Sequence, residues 1–511
     1  MTPILLSTIN AQYIHASLGL RYLLANLGEL RPQAKLVEFT FEHRPIDIVE
    51  ALLSHDPKIV GFGVYIWNVA LTTEVVALLK AVRPEVLVVI GGPEVSYESE
   101  AQSIVQLADY LITGQADLAF ACLCRDLLAG ERPADKIIRP PVPKMDDVAM
   151  PYREYTDADI AKRLIYVEAS RGCPFKCEFC LSSLDKTAWP FQLERFLAEL
   201  DALYQRGVRH FKFVDRTFNL NIKASKRILD FFLERMTEGL FIHFELIPDH
   251  LPDALKGSIT QFPPGSLQFE IGIQSLNPEV QQNITRKQDD AQTADNLTWL
   301  RENTHAHLHA DLIVGLPGET MASFGKGFDK LVKLNPHEIQ VGILKRLRGT
   351  PIARHTEAFD MRYNPQPPYN ILSNAQIDFP TMQRLNRFAR YWDMIGNSGR
   401  FVRTRPLLLD DAPFDRFLAF SDWLFATSDQ THRIALDRLY TLVFDGITTV
   451  FSVDVELARD ILTRDYFESG ARGAPKFISQ TSTPPPLPIA HTTARRQARH
   501  RRESMHGIGG K

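Results

Sequence analysis

LIYVEASRGCPFKCEFCLSS, residues 164 to 183, runs from a short apolar stretch straight into a loop carrying Cys173, Cys177 and Cys180. The whole chain of 511 residues has five cysteines, so most of its thiols are concentrated in this loop. LIYVEAS reads as a strand, and a loop at the carboxyl end of a parallel strand is where barrel enzymes do their chemistry. Structural zinc takes four ligands in a closed tetrahedron, usually as two separated pairs, and no second cysteine pair or suitable histidine pair follows. A cubane iron-sulfur cluster has four iron corners, each normally tied by one thiolate, so three cysteines leave one corner open to a substrate. An odd, clustered set of thiols favours metal ligation over a disulfide framework.

Five further strand-like runs follow: HFKFVD, LFIHFEL, SLQFEIGIQ, AHLHADLIVG and EIQVGIL, with helical patterns such as FLAELDALYQRG and SKRILDFFLERM between them. Six strand and helix units over 161–352 predict a partial (β/α)6 barrel with its site at the strand ends. Upstream, PILLST, KLVEFT, IVGFGVY, VLVVIGG and DYLITG alternate with helices across 1–138. They predict a doubly wound parallel sheet of Rossmann type, whose ligand sits at the carboxyl ends of the strands. The proline-rich stretch 139–160 reads as an extended linker. Residues 353–477 carry helical periodicity and predict a mainly α-helical domain, and 478–511 reads as a disordered basic tail. The fold class is therefore α/β, with a helical carboxyl-terminal domain.

Lys and Arg number 58 against 61 Asp and Glu, a net charge of -3. That balance supplies no global field to attract nucleic acid or an anionic membrane. No basic leader opens the chain and no run reaches the ~20 apolar residues of a membrane span. The expectation is a cytoplasmic protein with neither membrane nor nucleic acid among its partners.

The CxxxCxxC spacing, with Phe179 just before the last cysteine, resembles the signature of the radical S-adenosylmethionine (AdoMet, SAM) superfamily. The resemblance extends over the barrel region: HFKFVDRTFN with Asp215, FIHFEL with Glu245, FEIGIQSLNPEVQQNITR with Gln274 and Arg286, and DLIVGLPGET with Gly315, Pro317 and Gly318. It implies that Cys173, Cys177 and Cys180 hold a 4Fe-4S cluster whose fourth iron is chelated by S-adenosyl-L-methionine. Reductive cleavage would then give a 5′-deoxyadenosyl radical that takes a hydrogen atom from substrate. Phe179 would lie beside the adenine, Asp215 would receive the amino group, and Glu245, Gln274, Arg286 and the Gly315 turn would line the AdoMet site. An electron donor such as flavodoxin or ferredoxin would be needed.

The first domain resembles the cobalamin (B12)-binding domain of one large branch of that superfamily, at YIHASLGLRYLLANL, GFGVYIWN, IGGPEVS and LITG. The resemblance implies that Gly91 and Gly92 leave room for the corrin and that Ser96 donates a hydrogen bond. His15 lacks the acidic partner of a cobalt-ligating histidine and has one extra residue before Gly19, and GQAD stands where relatives often carry GEGE. Cys122 and Cys124 are two thiols where a methylthiotransferase needs three for a second cluster, so both read as unreactive packing residues. The resemblance implies methylation of an unactivated carbon in a small-molecule substrate. A redox rearrangement or cyclisation without methyl transfer, and a sensory role, use the same parts. His305, His307 and His309 fall on one side of a strand and in principle could hold a metal; the favoured expectation is a set at the barrel mouth facing substrate or water, with proton transfer open to His307 or His309. Basic residues from Lys345 to Arg348 suggest either a contact for an anionic group or a solvated rim.

Overall fold

In the computed structural model, residues 2–471 and 475–478 are described. Strands β1 (Ile4–Asn10), β2 (Ala34–Thr40), β3 (Ile59–Gly63), β4 (Leu87–Gly91), β5 (Tyr110–Ile112) and β6 (Ile137–Ile138) form one sheet in the order β2-β1-β3-β4-β5-β6. Every pairing is parallel. Two separate apolar clusters cover its faces, one including Ile48, Val75 and Leu79 and the other Leu20, Phe120 and Leu127, so the sheet is wound on both sides. Strand β6 was not anticipated. It is two residues long and belongs to the sheet because the N–H groups of Leu111 and Thr113 donate to the carbonyls of Lys136 and Ile138.

The second sheet contains β7 (Ile165–Val167), β8 (His210–Phe213), β9 (Phe241–Leu246), β10 (Leu267–Gln274), β11 (His307–Val314) and β12 (Glu338–Ile343). These are the six expected strands, parallel and in sequence order across the sheet. With no pairing between β7 and β12, the barrel is open along that side. The carboxyl-terminal region is helical, built from Phe379–Met394, Arg405–Leu409, Pro413–Ser428, Leu436–Val450 and Val455–Glu468, with a short hairpin of Arg362–Tyr363 and Ile371–Ser373 before them. It shares one continuous core with the barrel, running from Phe211 and Phe269 through Phe328 to Phe388 and Tyr440. Apart from Ile478, the expected basic tail lies outside the described residues.

The stretch 139–160 is not an exposed spacer. Met145, Val148, Met150, Tyr152 and Tyr155 are buried, and helix Asp157–Lys162 starts with a capping box between Thr156 and Asp159. The apolar residues among its prolines find a surface between the two sheets. Arg21 joins Glu38 at 2.9 Å and Asp159 at 3.0 Å, and Arg163 reaches Glu38 at 2.5 Å. This buried network ties β2 and the first helix to the start of the barrel. Among the described residues no helix is long and apolar enough to cross a membrane.

Candidate active site

The cysteine loop leaves β7 and folds over the end of the barrel. Ser170–Arg171 pairs with Trp189–Pro190 in a short antiparallel ribbon that closes the base of the loop. Gly172 makes that closure possible: its φ is +80°, and a Cβ there would lie 2.1 Å from the Thr187 carbonyl oxygen. Alanine at 172 combines left-handed strain with a backbone clash, and strained residues of this kind cost about 1–3 kcal/mol each. Gly172→Ala should lower the denaturation midpoint accordingly and reduce iron uptake on reconstitution. An unchanged midpoint would show that the ribbon can shift.

Cys173, Cys177 and Cys180 line one cavity of about 240 Å³ together with Phe175, Phe179, Arg216, Glu245, Glu270, Gln274, Arg286 and Asp311. Among the described residues no three His, Cys, Asp or Glu side chains converge on a single-ion site. Three cysteines on one cavity suit a cluster that takes one thiolate per iron. Burial works against the thiolate forms of Cys173 and Cys177, so ligation requires a cationic guest that displaces the thiol protons. Burial, with the neighbouring thiols Cys180 and Cys177 adding to it, pushes the Cys173 thiol up to about 11. Burial also raises Cys177, although Arg286 works against it. Arg286 Nη1 lies 3.5 Å from Cys177 Sγ, and its other nitrogens hold the Gly272 carbonyl and Gln288. The cysteine set, the Arg286 guanidinium beside it and the cavity they share fit a cluster.

The cavity floor is acidic. Asp311 is raised to about 8 by burial and then by the charges of Glu270 and Glu245. Glu270 is depressed: burial opposes its charge, but His243 at 3.0 Å and Lys212 at 3.3 Å outweigh burial. At the end of β10 the register with β11 shifts between Gly272 and Gln274, and Gln274 takes φ +69°. Such a bulge re-aims a side chain, here into the cavity.

A second cavity, about 490 Å³, lies at the carboxyl ends of β3, β4 and β5. Its lining includes Gly61, Gly63, Tyr65, Gly91, Gly92 and Gln115, along with Glu168, Arg171 and Ser182 from the barrel side. This is the strand-end crevice where doubly wound sheets bind ligands, and its bare glycine backbone fits a large flat group. Arg171 bolts the two domains together here. Its guanidinium donates to Glu168 at 2.7 Å, to Asp117 at 2.8 and 3.0 Å, and to Gln115 at 3.2 Å, and lies over the Tyr22 ring at 4.3 Å. Burial opposes its charge, but Glu168 and Asp117 prevail and its pKa is raised. Gln115 and Asp117 belong to the GQAD stretch, so that departure serves the domain interface.

The structure gathers Phe179, Glu245, Gln274 and Arg286 with the cysteines, as expected, and puts Gly91 and Gly92 on the second cavity. Other residues take different places. Asp215 is not among the side chains lining the cysteine cavity. Its oxygens accept from the Ala169 N–H at 2.9 Å and the Ser170 hydroxyl at 2.7 Å, fixing the base of the loop, while burial raises it to about 7. Gly315 faces the hairpin before the helices, where a Cβ would meet Ile371 at 2.6 Å. Ser96 donates to the Gly92 carbonyl at 2.8 Å and accepts from the Gly114 N–H at 3.2 Å, bridging two turns without lining the cavity. Gly92 itself has φ +113°, and a Cβ there would lie 2.4 Å from the Val64 carbonyl oxygen, so it serves backbone packing as well as the cavity.

His307 starts β11, at the end of the barrel opposite the cysteine loop, where it meets Glu338 at 3.1 Å and stacks on His337. His309 follows within the strand, 3.5 Å from Asp311, and His305 precedes it, so none of the three stands at the mouth. His15 is bonded to Tyr166 at 2.6 Å. Cys124 is buried and its thiol is pushed up to about 12 by burial, whereas Cys122 is exposed and does not pack. Arg346 and Arg348 pair with Glu98 and Glu94 of the first domain at 3.0 and 2.9 Å, so these two charges are taken up at the domain interface. Arg171, Arg216, Glu270 and Asp311 were missed. A charged residue on a strand end was the only available signal, and it does not say which cavity the residue faces.

Comparison with known proteins gives each part a counterpart. Residues 5–123 match the B12 binding domain model, 167–331 the radical SAM superfamily model, and 357–506 a protein family of unknown function, DUF4080. An uncharacterized methyltransferase of Pyrococcus horikoshii, PH0819, is 27% identical over 333 residues, covering 59% of this chain and 70% of the relative. The cobalamin-dependent radical SAM methyltransferase TokK of Streptomyces tokunonensis is 24% identical over 338 residues, covering 57% of this chain. The aligned region spans 47% of TokK's own length. The solved structure of OxsB, a cobalamin-dependent S-adenosylmethionine radical enzyme with aqua-cobalamin and S-adenosylmethionine bound, superimposes with a TM-score of 0.63 at 12% identity. The match covers 100% of this chain and 84% of OxsB, a likeness of fold.

Proposed function

We propose that this chain, an enzyme joining a B12-binding domain to a radical SAM domain, is a cobalamin-dependent methyltransferase that uses a 4Fe-4S cluster and AdoMet to methylate an unactivated carbon of a small molecule. The observation that carries the reading is a shared wall. Glu168, Arg171 and Ser182 face the glycine-lined cavity while Cys173, Phe175, Cys177, Phe179 and Cys180, from the same loop, face the other. Groups bound in the two cavities would meet across that loop.

When bound, a cluster would supply the electron that cleaves AdoMet, and cobalamin a transferable methyl group. Cys173, Cys177 and Cys180 would hold three irons, with Arg286 balancing thiolate charge beside Cys177. Phe179 would offer an aromatic face to the adenine. Glu245, held to Arg216 at 2.9 Å, and Gln274 would orient polar groups of AdoMet. Asp311, pushed up to about 8, would carry a proton at neutral pH and so can donate as well as accept a hydrogen bond. A reduced flavodoxin or ferredoxin would deliver the electron.

The test is anaerobic reconstitution with iron, sulfide and cobalamin, followed by incubation with reductant, methyl-labelled AdoMet and extracted metabolites. Methyl transfer predicts label in a product, with 5′-deoxyadenosine and S-adenosylhomocysteine released together. Deoxyadenosine with an unlabelled product would replace the reading with a rearrangement or cyclisation, and neither compound would overturn enzymatic use of AdoMet.

A further inference from the structure

Glu178 sits between two of the cysteines and is 3% exposed. It makes five hydrogen bonds. One carboxylate oxygen accepts from the Thr285 hydroxyl at 2.5 Å and from Arg354, and the other meets His355 Nε2 at 2.9 Å. Its N–H donates to the Ile284 carbonyl at 3.1 Å, and its carbonyl accepts from the Ile352 N–H at 3.0 Å. The cysteine loop is thereby attached to two other segments. One is 284–286, which carries Arg286 to Cys177. The other is the turn Pro351–His355, which leads into the helical region, where Phe359 packs edge-on against His355. Upstream of that turn, Arg346 and Arg348 are anchored to Glu98 and Glu94 beside the other cavity. A buried carboxylate left unpaired is strongly unfavourable, so the position of Glu178 fixes Arg354 and His355 against the loop.

Resting on the reading that the loop holds a cluster, we propose that Glu178 is a positioning residue: it holds the Cys177–Cys180 half of the loop in register with Arg286 and the 346–355 strap, and its pair with Arg354 sets the local charge at the cluster. The sign of the charge effect follows from Coulomb's law. Reduction adds an electron, which a neighbouring carboxylate disfavours and a neighbouring guanidinium favours. The Arg354 side chain is 61% exposed, so solvent screens its contribution.

The full chain, reconstituted anaerobically with iron and sulfide, is titrated electrochemically and followed by electron paramagnetic resonance without AdoMet, and iron release to a chelator is timed. Glu178→Gln should move the midpoint potential upward and Arg354→Gln should move it downward by less, opposite shifts that a purely structural role does not produce. Glu178→Ala should lose iron roughly tenfold faster, at the low end of the 10–100-fold that groups directly bonded to metal ligands are worth, because Glu178 acts on the loop through Thr285, Arg354 and His355. If the Glu178 variants fail to fold, Arg354→Gln carries the test alone. Variants with wild-type potentials and wild-type iron release would overturn the proposal. A wild-type chain that takes up no iron would overturn the cluster reading itself, and with it this role.

Discussion

Cys177→Ala is expected to abolish AdoMet cleavage. The variant leaves two thiols in the cavity and strips Arg286 of its sulfur partner at 3.5 Å. Loss of an outer partner of a metal ligand costs about 10–100-fold, and removing a ligand itself should exceed that, taking 5′-deoxyadenosine formation to background. Iron content should fall with it. Cobalamin content should not, because no cysteine lines the glycine-rich cavity. Chromatographic measurement of deoxyadenosine, with iron and cobalt analysis of the same sample, checks all three. A Cys177 variant with wild-type cleavage would mean that the loop is not the ligand set.

The largest stability effect is expected at Arg171. Methionine keeps most of the side chain's bulk but leaves Asp117, which is 4% exposed, and Glu168 facing each other without their cation. Breaking a buried pair by removing one partner costs about 3–5 kcal/mol. Arg171→Met should lower the unfolding free energy by that amount, read as a fall in the urea midpoint, and also weaken cobalamin uptake and iron uptake together, because the residue lines one cavity and sits two positions before the first cysteine lining the other. Asp117→Asn should cost less, since Glu168 still pairs with the guanidinium. Equal effects of the two substitutions on stability and on both cofactors would show that Arg171 is not the link.

Much of this was legible because it was local. The six barrel strands, five strands of the first sheet and the helices beyond them announce themselves through periodicity within a few residues. The cysteine loop did so by spacing, and its place after β7 followed from the strand before it. Local patterns failed where the responsible contact was distant. The apolar residues of 139–160 were hidden among prolines, and their burial depends on a groove formed by two domains. Ser96 was expected to donate a hydrogen bond to the cofactor, whereas its hydroxyl bridges two glycine turns. Gly315 was expected to let backbone approach a ligand, whereas a Cβ there would meet Ile371.

The amino-acid sequence alone determined the α/β architecture, the three thiols and the order in which the domains follow, because backbone propensity and ligand spacing are properties of neighbouring residues. Tertiary structure decided which cavity each charged side chain serves. Arg348 meets Glu94 across 254 positions, and Arg171 finds Asp117 in another domain. A charge or a hydroxyl specifies what kind of partner it requires but not which one, and only the packing of the two sheets and the helical region against each other makes that choice.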